Sequence, residues 1–226
     1  MIHIENLSKS FGVKKVLKNI NIEFEKGKVY GIVGENGAGK STLFNCIAGM
    51  ENFEGKIKSD FDLLKNHLGY LMTDPYFFPK ITGREYLQLC CIARNKPDIK
   101  FDQKNIFGLP LDEYALNYST GMKKKLALTA ILLQENDVFI LDEPFNGVDI
   151  QSNMIITGVI HQLKKLGKTI LISSHIFSTL DETCDEIHLL NEGTFIKKAL
   201  KSEFATLDAE MKMSIIGNKL ELLGLK

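Results

Sequence analysis

Two stretches of this chain carry residue types that could do phosphate chemistry. The first is Gly34-Glu35-Asn36-Gly37-Ala38-Gly39-Lys40-Ser41-Thr42, which has the spacing G-x-x-x-x-G-K-[ST]. Glycines there let successive backbone amides turn toward shared phosphate oxygens, beside the positive end of a following helix. Lys40 is expected to reach the β- and γ-phosphates of a nucleotide, and Ser41 to ligate Mg²⁺. Gly34, Asn36, Gly37, Ala38, Gly39 and Thr42 complete the expected cradle. The second stretch, Val138-Phe139-Ile140-Leu141-Asp142-Glu143, sets two acids at the end of an apolar run. By itself it is equally well a strand ending in solvent-facing acids. Beside Lys40, Asp142 is expected to hold Mg²⁺ and Glu143 to orient or deprotonate an attacking water.

Elements of the right kind surround both stretches. Lys28 to Val33 is an apolar run feeding the glycine loop, and Ser41 to Met50 has helical spacing. Val138 to Leu141 and Thr169 to Ser173 are short apolar runs suited to strands buried on both faces of a parallel sheet. Ile155 to Leu166 reads as the helix that joins them. Upstream, Ile2, Ile4, Val16, Leu17, Ile20, Ile22 and Phe24 alternate as in paired antiparallel strands, with turns at Gly12 and Lys26-Gly27. The middle third turns helical, from about Thr82 to Arg94 and from Thr120 to Gln134. The polar stretch between holds Pro97, Gly108 and Pro110 and no convincing strand. Glu186 to Lys198 reads as a hairpin around Asn191-Glu192-Gly193, and the tail from Ser202 as an amphipathic helix.

Composition narrows the classes. The chain has 226 residues, enough for one substantial core, and 28 basic against 28 acidic side chains give zero formal net charge. A general nucleic-acid binder would carry a basic surplus, so no nucleic-acid partner is expected. Cys46, Cys90, Cys91 and Cys184 show no metal-ligand spacing and read as reduced, mostly buried thiols. No secretory leader is legible at Met1 to Glu5. The longest apolar runs, such as Leu126 to Leu133, fall short of the ~18 residues of a spanning helix.

Tyr118-Ser119-Thr120-Gly121-Met122 decides among the nucleotide enzymes. Here the chain resembles the ABC ATPase family, whose signature L-S-G-G-Q opens a helix. Ser119 and Gly121 match that form, and Y-S-x-G-M followed by lysines is similar to the variant of many exporter subunits. At a helix amino terminus, Ser119 and Gly121 could offer a hydroxyl, amides and a dipole to a γ-phosphate. The resemblance extends over nearly the whole chain. It implies that Phe11 stacks on adenine, that Asn146-Gly147-Val148-Asp149 is the D-loop, and that His175 is the switch histidine contacting the γ-phosphate. Against each stands a plainer role: a core phenylalanine, an Asn-Gly turn, a structural histidine. Thr73 stands where the family carries glutamine, or sometimes glutamate, and could still ligate metal or water. Thr120 and Met122 are milder departures. Lys123-Lys124-Lys125 reads as a solvated helix face, with a long-range pull on incoming phosphates as the alternative.

The expected fold is α/β, a phosphate-loop NTPase core with a mostly parallel sheet, an N-terminal antiparallel β subdomain and an inserted helical subdomain. Residues 1–226 are expected to form one domain, with the helical part at about 76–135. The resemblance implies an ATP-binding and ATP-hydrolysing subunit that uses ATP and Mg²⁺ to power a transporter, and an exporter by its signature. Its implied partners are a second ATP-binding subunit, alike or different, and a separate transmembrane permease. That places it in the cytoplasm, peripheral on the inner face of the cell membrane. Two other readings remain open at this point: a soluble ABC ATPase of translation or DNA repair, and a phosphate-loop kinase.

Overall fold

The computed structural model describes residues 1–222, with side chains through Met213. The chain opens with β1 (Ile2–Phe11), β2 (Lys14–Phe24) and β3 (Val29–Val33), then α1 (Lys40–Ile47), β4 (Glu54–Ser59) and β5 (Leu68–Leu71). Next come three helices, α2 (Gly83–Ile92), the short α3 (Phe101–Lys104) and α4 (Thr120–Leu133). The remainder alternates: β6 (Val138–Asp142), α5 (Ile150–Lys165), β7 (Thr169–Ser173) and α6 (Phe177–Thr183). It ends with β8 (Glu186–Asn191), β9 (Thr194–Leu200) and α7 (Phe204–Leu222).

The strands form two sheets. An antiparallel sheet has the order β2-β1-β4, and the larger sheet has the order β5-β6-β7-β3-β8-β9. In the larger one every pairing is parallel except β8 with β9. The central strands β3, β6 and β7 are buried at every position, as their unbroken apolar sequence requires. Their alternate residues feed two cores. Val29, Val33, Phe139, Leu141, Ile170 and Ile172 pack with the helical insertion and α5 on one face. Tyr30, Ile32, Val138, Ile140 and Leu171 pack with α1 and the antiparallel sheet on the other. A one-residue slip would exchange the two sets, so the cores fix the register.

Several boundaries differ from the sequence reading. The expected strands and hairpin are present, and β4, which has little apolar periodicity, was not foreseen. It is held by antiparallel pairing with β1, from Ile2 opposite Ser59 to Ser8 opposite Glu54. Helix α1 ends three residues before Met50, and α5 begins at Ile150, five residues before Ile155. The early start of α5 follows from its cap, since Asp149 accepts a 2.8 Å hydrogen bond from the Ser152 amide. Helix α2 starts with a capping box, Thr82 taking the Glu85 amide while Glu85 takes the Thr82 amide. Helix α7 confirms the helical tail, with Phe204 and Leu207 buried; positions 223–226 of that reading lie outside the described residues.

The β8–β9 turn also joins the two sheets to the glycine loop. The Lys18 amide donates to Gly193 O at 2.8 Å, and the Gly193 amide donates to Ala38 O at 3.1 Å. Gly193 has φ +80°, and a Cβ there would lie 2.1 Å from Val16 O. Gly193→Ala therefore meets both a left-handed backbone and a backbone clash. It should lose at least about 1–3 kcal/mol of stability, measured as a lowered urea midpoint with unchanged slope.

Candidate active site

Each site segment leaves the carboxyl end of a parallel strand, where open α/β sheets bind ligands. The glycine loop follows β3, Thr73 follows β5, Asp142 and Glu143 close β6, and Ser173 to His175 close β7. A cleft of about 350 Å³ brings together Asn36, Gly37, Gly39, Lys40, Ser41, Thr42, Thr73, Asp142 and Glu143. Gly34 and Ala38 are buried in the base of the loop rather than lining that cleft. Lys40 is 7% exposed, and its Nζ donates to Gly34 O at 2.8 Å and to Glu35 O at 3.2 Å. The loop's own carbonyls thus satisfy the ammonium that a phosphate would take.

Asp142 is held from both sides of its strand. Thr73 Oγ1 donates to Asp142 Oδ2 at 2.8 Å, and Ser173 Oγ donates to Asp142 Oδ1. The same Ser173 hydroxyl accepts the Glu143 amide at 2.9 Å. Glu143 sits at φ +53°, a left-handed conformation that few non-glycine residues adopt and that collects at functional sites. Its carboxylate turns to the next loop, where Oε2 lies 2.7 Å from His175 Nδ1. The His175 side chain is 51% exposed and the Glu143 side chain 11%. The arrangement can position a water on Glu143 and present an imidazole to solvent-borne phosphate.

Ser119 and Gly121 are not in this cleft. Ser119 is exposed and caps α4, its Oγ accepting the Met122 amide at 3.2 Å. Gly121 packs against the D-loop segment, where a Cβ would lie 2.5 Å from Gly147 O. Asp149 accepts from Ser152 and pairs with Lys125, whose Nζ lies 3.2 Å away, and these bonds hold its carboxyl well below the usual range. Phe11 is 48% exposed at the end of β1, so it is not the core phenylalanine of the plainer reading. Lys9 Nζ lies 4.6 Å from its ring centroid.

Sequence reasoning missed two residues. The sequence pattern makes Ser173 only the end of a strand; its register opposite Asp142 gives it a role. The sequence groups Lys124 with Lys123 and Lys125 on a solvated face, and the structure corrects this: Lys124 is 2% exposed and the Lys125 side chain 13%. The Lys124 Nζ donates to Glu143 O at 2.7 Å and to Asn146 O at 3.1 Å. Burial pulls its ammonium below the ordinary value, opposed by the charges of Glu143, Asp74 and Asp142. The signal available was spacing alone, because α4 buries Leu126, Ala127, Leu128, Ala130 and Ile131 around almost its whole girth.

A glycine loop and a paired acid two strands apart in one parallel sheet, with a histidine on the acid, define a phosphate-loop nucleotide hydrolase. Residues 17–146 match the family described as ABC transporter, and the chain belongs to that family. It is similar to the bacitracin transport ATP-binding protein BcrA of Enterococcus faecalis, 32% identical over 90% of this chain and 70% of BcrA. A lantibiotic transport ATP-binding protein, SrtF of Streptococcus pyogenes, is 32% identical over 87% of this chain and 89% of SrtF. The ABC transporter ATP-binding protein NatA of Bacillus subtilis is 33% identical over 97% of this chain and 98% of NatA. Among solved structures, a dimeric bacterial ABC transporter cassette superposes with TM-score 0.81 at 19% identity, over 89% of this chain and 99% of that one. That likeness supports the fold. Transporter-family membership sets aside the translation or DNA-repair reading, and with it the kinase.

Ser173→Ala would leave a carboxylate oxygen and a buried amide short of a partner. It should destabilise the fold by about 1–3 kcal/mol in denaturant titration. Ser173→Thr, which keeps the hydroxyl, should lose less.

Proposed function

We propose that this chain hydrolyses ATP to ADP and phosphate as one half of a nucleotide-sandwich dimer that drives export through a separate permease. The observation that carries the reading is the single cleft in which Lys40, a doubly held Asp142 and a histidine-linked Glu143 converge. Export is supported by the Tyr118-Ser119-Thr120-Gly121-Met122 signature and by relatives named for bacitracin and lantibiotic transport. No helix of the described residues is long and apolar enough to cross a membrane; in the proposed assembly the permease is a separate chain and this one sits at the inner membrane face.

The hydroxyls of Ser41 and Thr73 and the carboxylate of Asp142 are hard oxygen donors in one cleft, a set that fits Mg²⁺ together with phosphate oxygens. When bound, the ion would neutralise charge on the β- and γ-phosphates. Lys40 exchanges its two carbonyl partners for phosphate oxygens, while the loop amides of Gly34 to Thr42 cradle the chain of phosphates. Glu143 accepts a proton from the attacking water as that water bonds to the γ-phosphorus and the bond to the bridging oxygen breaks. His175 fixes the Glu143 carboxylate and contacts the γ-phosphate. Phe11, with its half-exposed ring, stacks on adenine.

Ser119 and Gly121 stand outside the cleft at the start of α4, Ser119 exposed and Gly121 half-buried against Gly147, and so serve the nucleotide of a second ATP-binding subunit. ATP then acts between the two subunits, and product release lets them part and move the permease through the helical insertion.

Glu143→Gln should bind ATP, dimerise more stably and lose roughly 10²–10⁴-fold in turnover. Turnover near wild type would overturn the assignment of Glu143. Specific activity of the wild type should also rise with protein concentration; a constant value from a demonstrated monomer would overturn the sandwich.

A further inference from the structure

The family-type site explains residues at the strand ends but leaves one buried cation without a task. Lys124 lies two residues beyond the signature in α4 and is 2% exposed. No carboxylate lies within ion-pair distance of its Nζ among the described residues. Its hydrogen bonds go instead to two backbone carbonyls, Glu143 O and Asn146 O. An ammonium has three donors and no acceptor, and an uncompensated buried one is unfavourable. The fold retains it where an uncharged apolar side chain would fill the same space.

Those two carbonyls are the ends of a tight turn. The Asn146 amide donates back to Glu143 O at 3.2 Å, and Glu143 itself has φ +53°. Lys124 thus bridges the turn that aims the Glu143 side chain at His175. Without that bridge the left-handed residue loses the tie that opposes its relaxation toward negative φ. A rotation about φ at Glu143 moves the carboxylate away from His175, and misplacement by about 1 Å can lower turnover ~10²-fold. The adjacent residue Gly147 meanwhile packs its carbonyl on Gly121. One short segment therefore touches both the signature glycine and the signature helix's buried lysine.

We infer that Lys124 is a positioning residue that acts through Glu143, holding the backbone of the Glu143–Asn146 turn so that the carboxylate meets its water. The inference rests on the proposed role of Glu143. It makes α4 serve two nucleotides: its exposed start, Ser119, faces the site of a second subunit, and Lys124 sets the acid of its own. Lys125, its neighbour in sequence, has a side chain only 13% exposed and donates instead to Asp149 and Ser152 at the start of α5.

The test compares Lys124→Met, a near-isostere without donors, with Lys124→Gln, a neutral donor, and Lys58→Met, at an exposed position on β4 away from the cleft, as the surface control. Each is assayed for ATPase turnover and for equilibrium ATP binding, alone and in the Glu143→Gln background. Lys124→Met should lower kcat at least tenfold, and Lys124→Gln by less, with ATP affinity within about twofold because Lys40 and its loop are untouched. Lys58→Met should stay near wild type. In the Glu143→Gln background neither Lys124 substitution should lower the residual rate further, since residues that act as one unit are not additive. Either Lys124 variant that folds decides the matter. A wild-type kcat, a loss of affinity equal to the loss of rate, or a full additional loss in the Glu143→Gln background overturns the inference. Active Glu143→Gln would instead overturn the role of Glu143 itself, a separate result.

Discussion

The Asp142 carboxylate depends on hydroxyls from both flanking strands, and much of the structure serves that clamp. Thr73 reaches it from beyond β5 and Ser173 from the end of β7. Neither could do so unless the three strands were in register, with Leu71 opposite Leu141 and Asp142 opposite Ser173. Register is in turn dictated by the two cores, which take alternate residues of β6 and would exchange them on any slip. Burial of apolar side chains far from any ligand thus determines where a charged group stands. The carboxylate is 1% exposed, and hydrogen bonds to its charged form are what make such burial tolerable.

The same economy appears at Lys40. An ammonium that is 7% exposed must be satisfied before any nucleotide arrives, and the carbonyls of Gly34 and Glu35 do this. Phosphate binding at Lys40, as proposed, would then be an exchange of neutral acceptors for charged ones rather than the rescue of an orphaned cation. Charge-assisted bonds are about twice as strong as neutral ones, so the exchange favours the nucleotide without leaving the empty loop unstable.

How much of this was legible in sequence follows from how local each feature is. The glycine loop is one continuous segment whose spacing encodes its conformation, so its residues could be named at once. The buried strands were legible because β3, β6 and β7 are apolar throughout. Strand β4 was not, because its burial is slight and its partner, β1, lies far away in sequence. Ser173, Lys124 and the Thr73–Asp142 bond were hidden for a related reason: each depends on which strand lies beside which. A lysine triplet is ordinarily a solvated face, but here Lys123 and Lys125 are only partly exposed and Lys124 is buried. The middle one departs from it because α4 is a helix enclosed on nearly all sides, where periodicity ceases to tell inside from outside.

Thr73 shows what a shorter side chain does at a position where the resemblance leads one to expect glutamine. Its hydroxyl is committed to Asp142 at 2.8 Å, and the residue is half-buried. A glutamine side chain extends by two further carbons and can follow a ligand through a wide arc, whereas a β-branched threonine has few rotamers and little reach. The segment leading toward α2 is therefore joined to the site through a carboxylate that the protein itself holds. If Asp142 holds a metal ion as proposed, the Thr73 hydroxyl on that carboxylate is the contact that would link the ion to this segment. Under the proposed function, that contact and the turn gripped by Lys124 are the two links through which the site would reach the helical insertion.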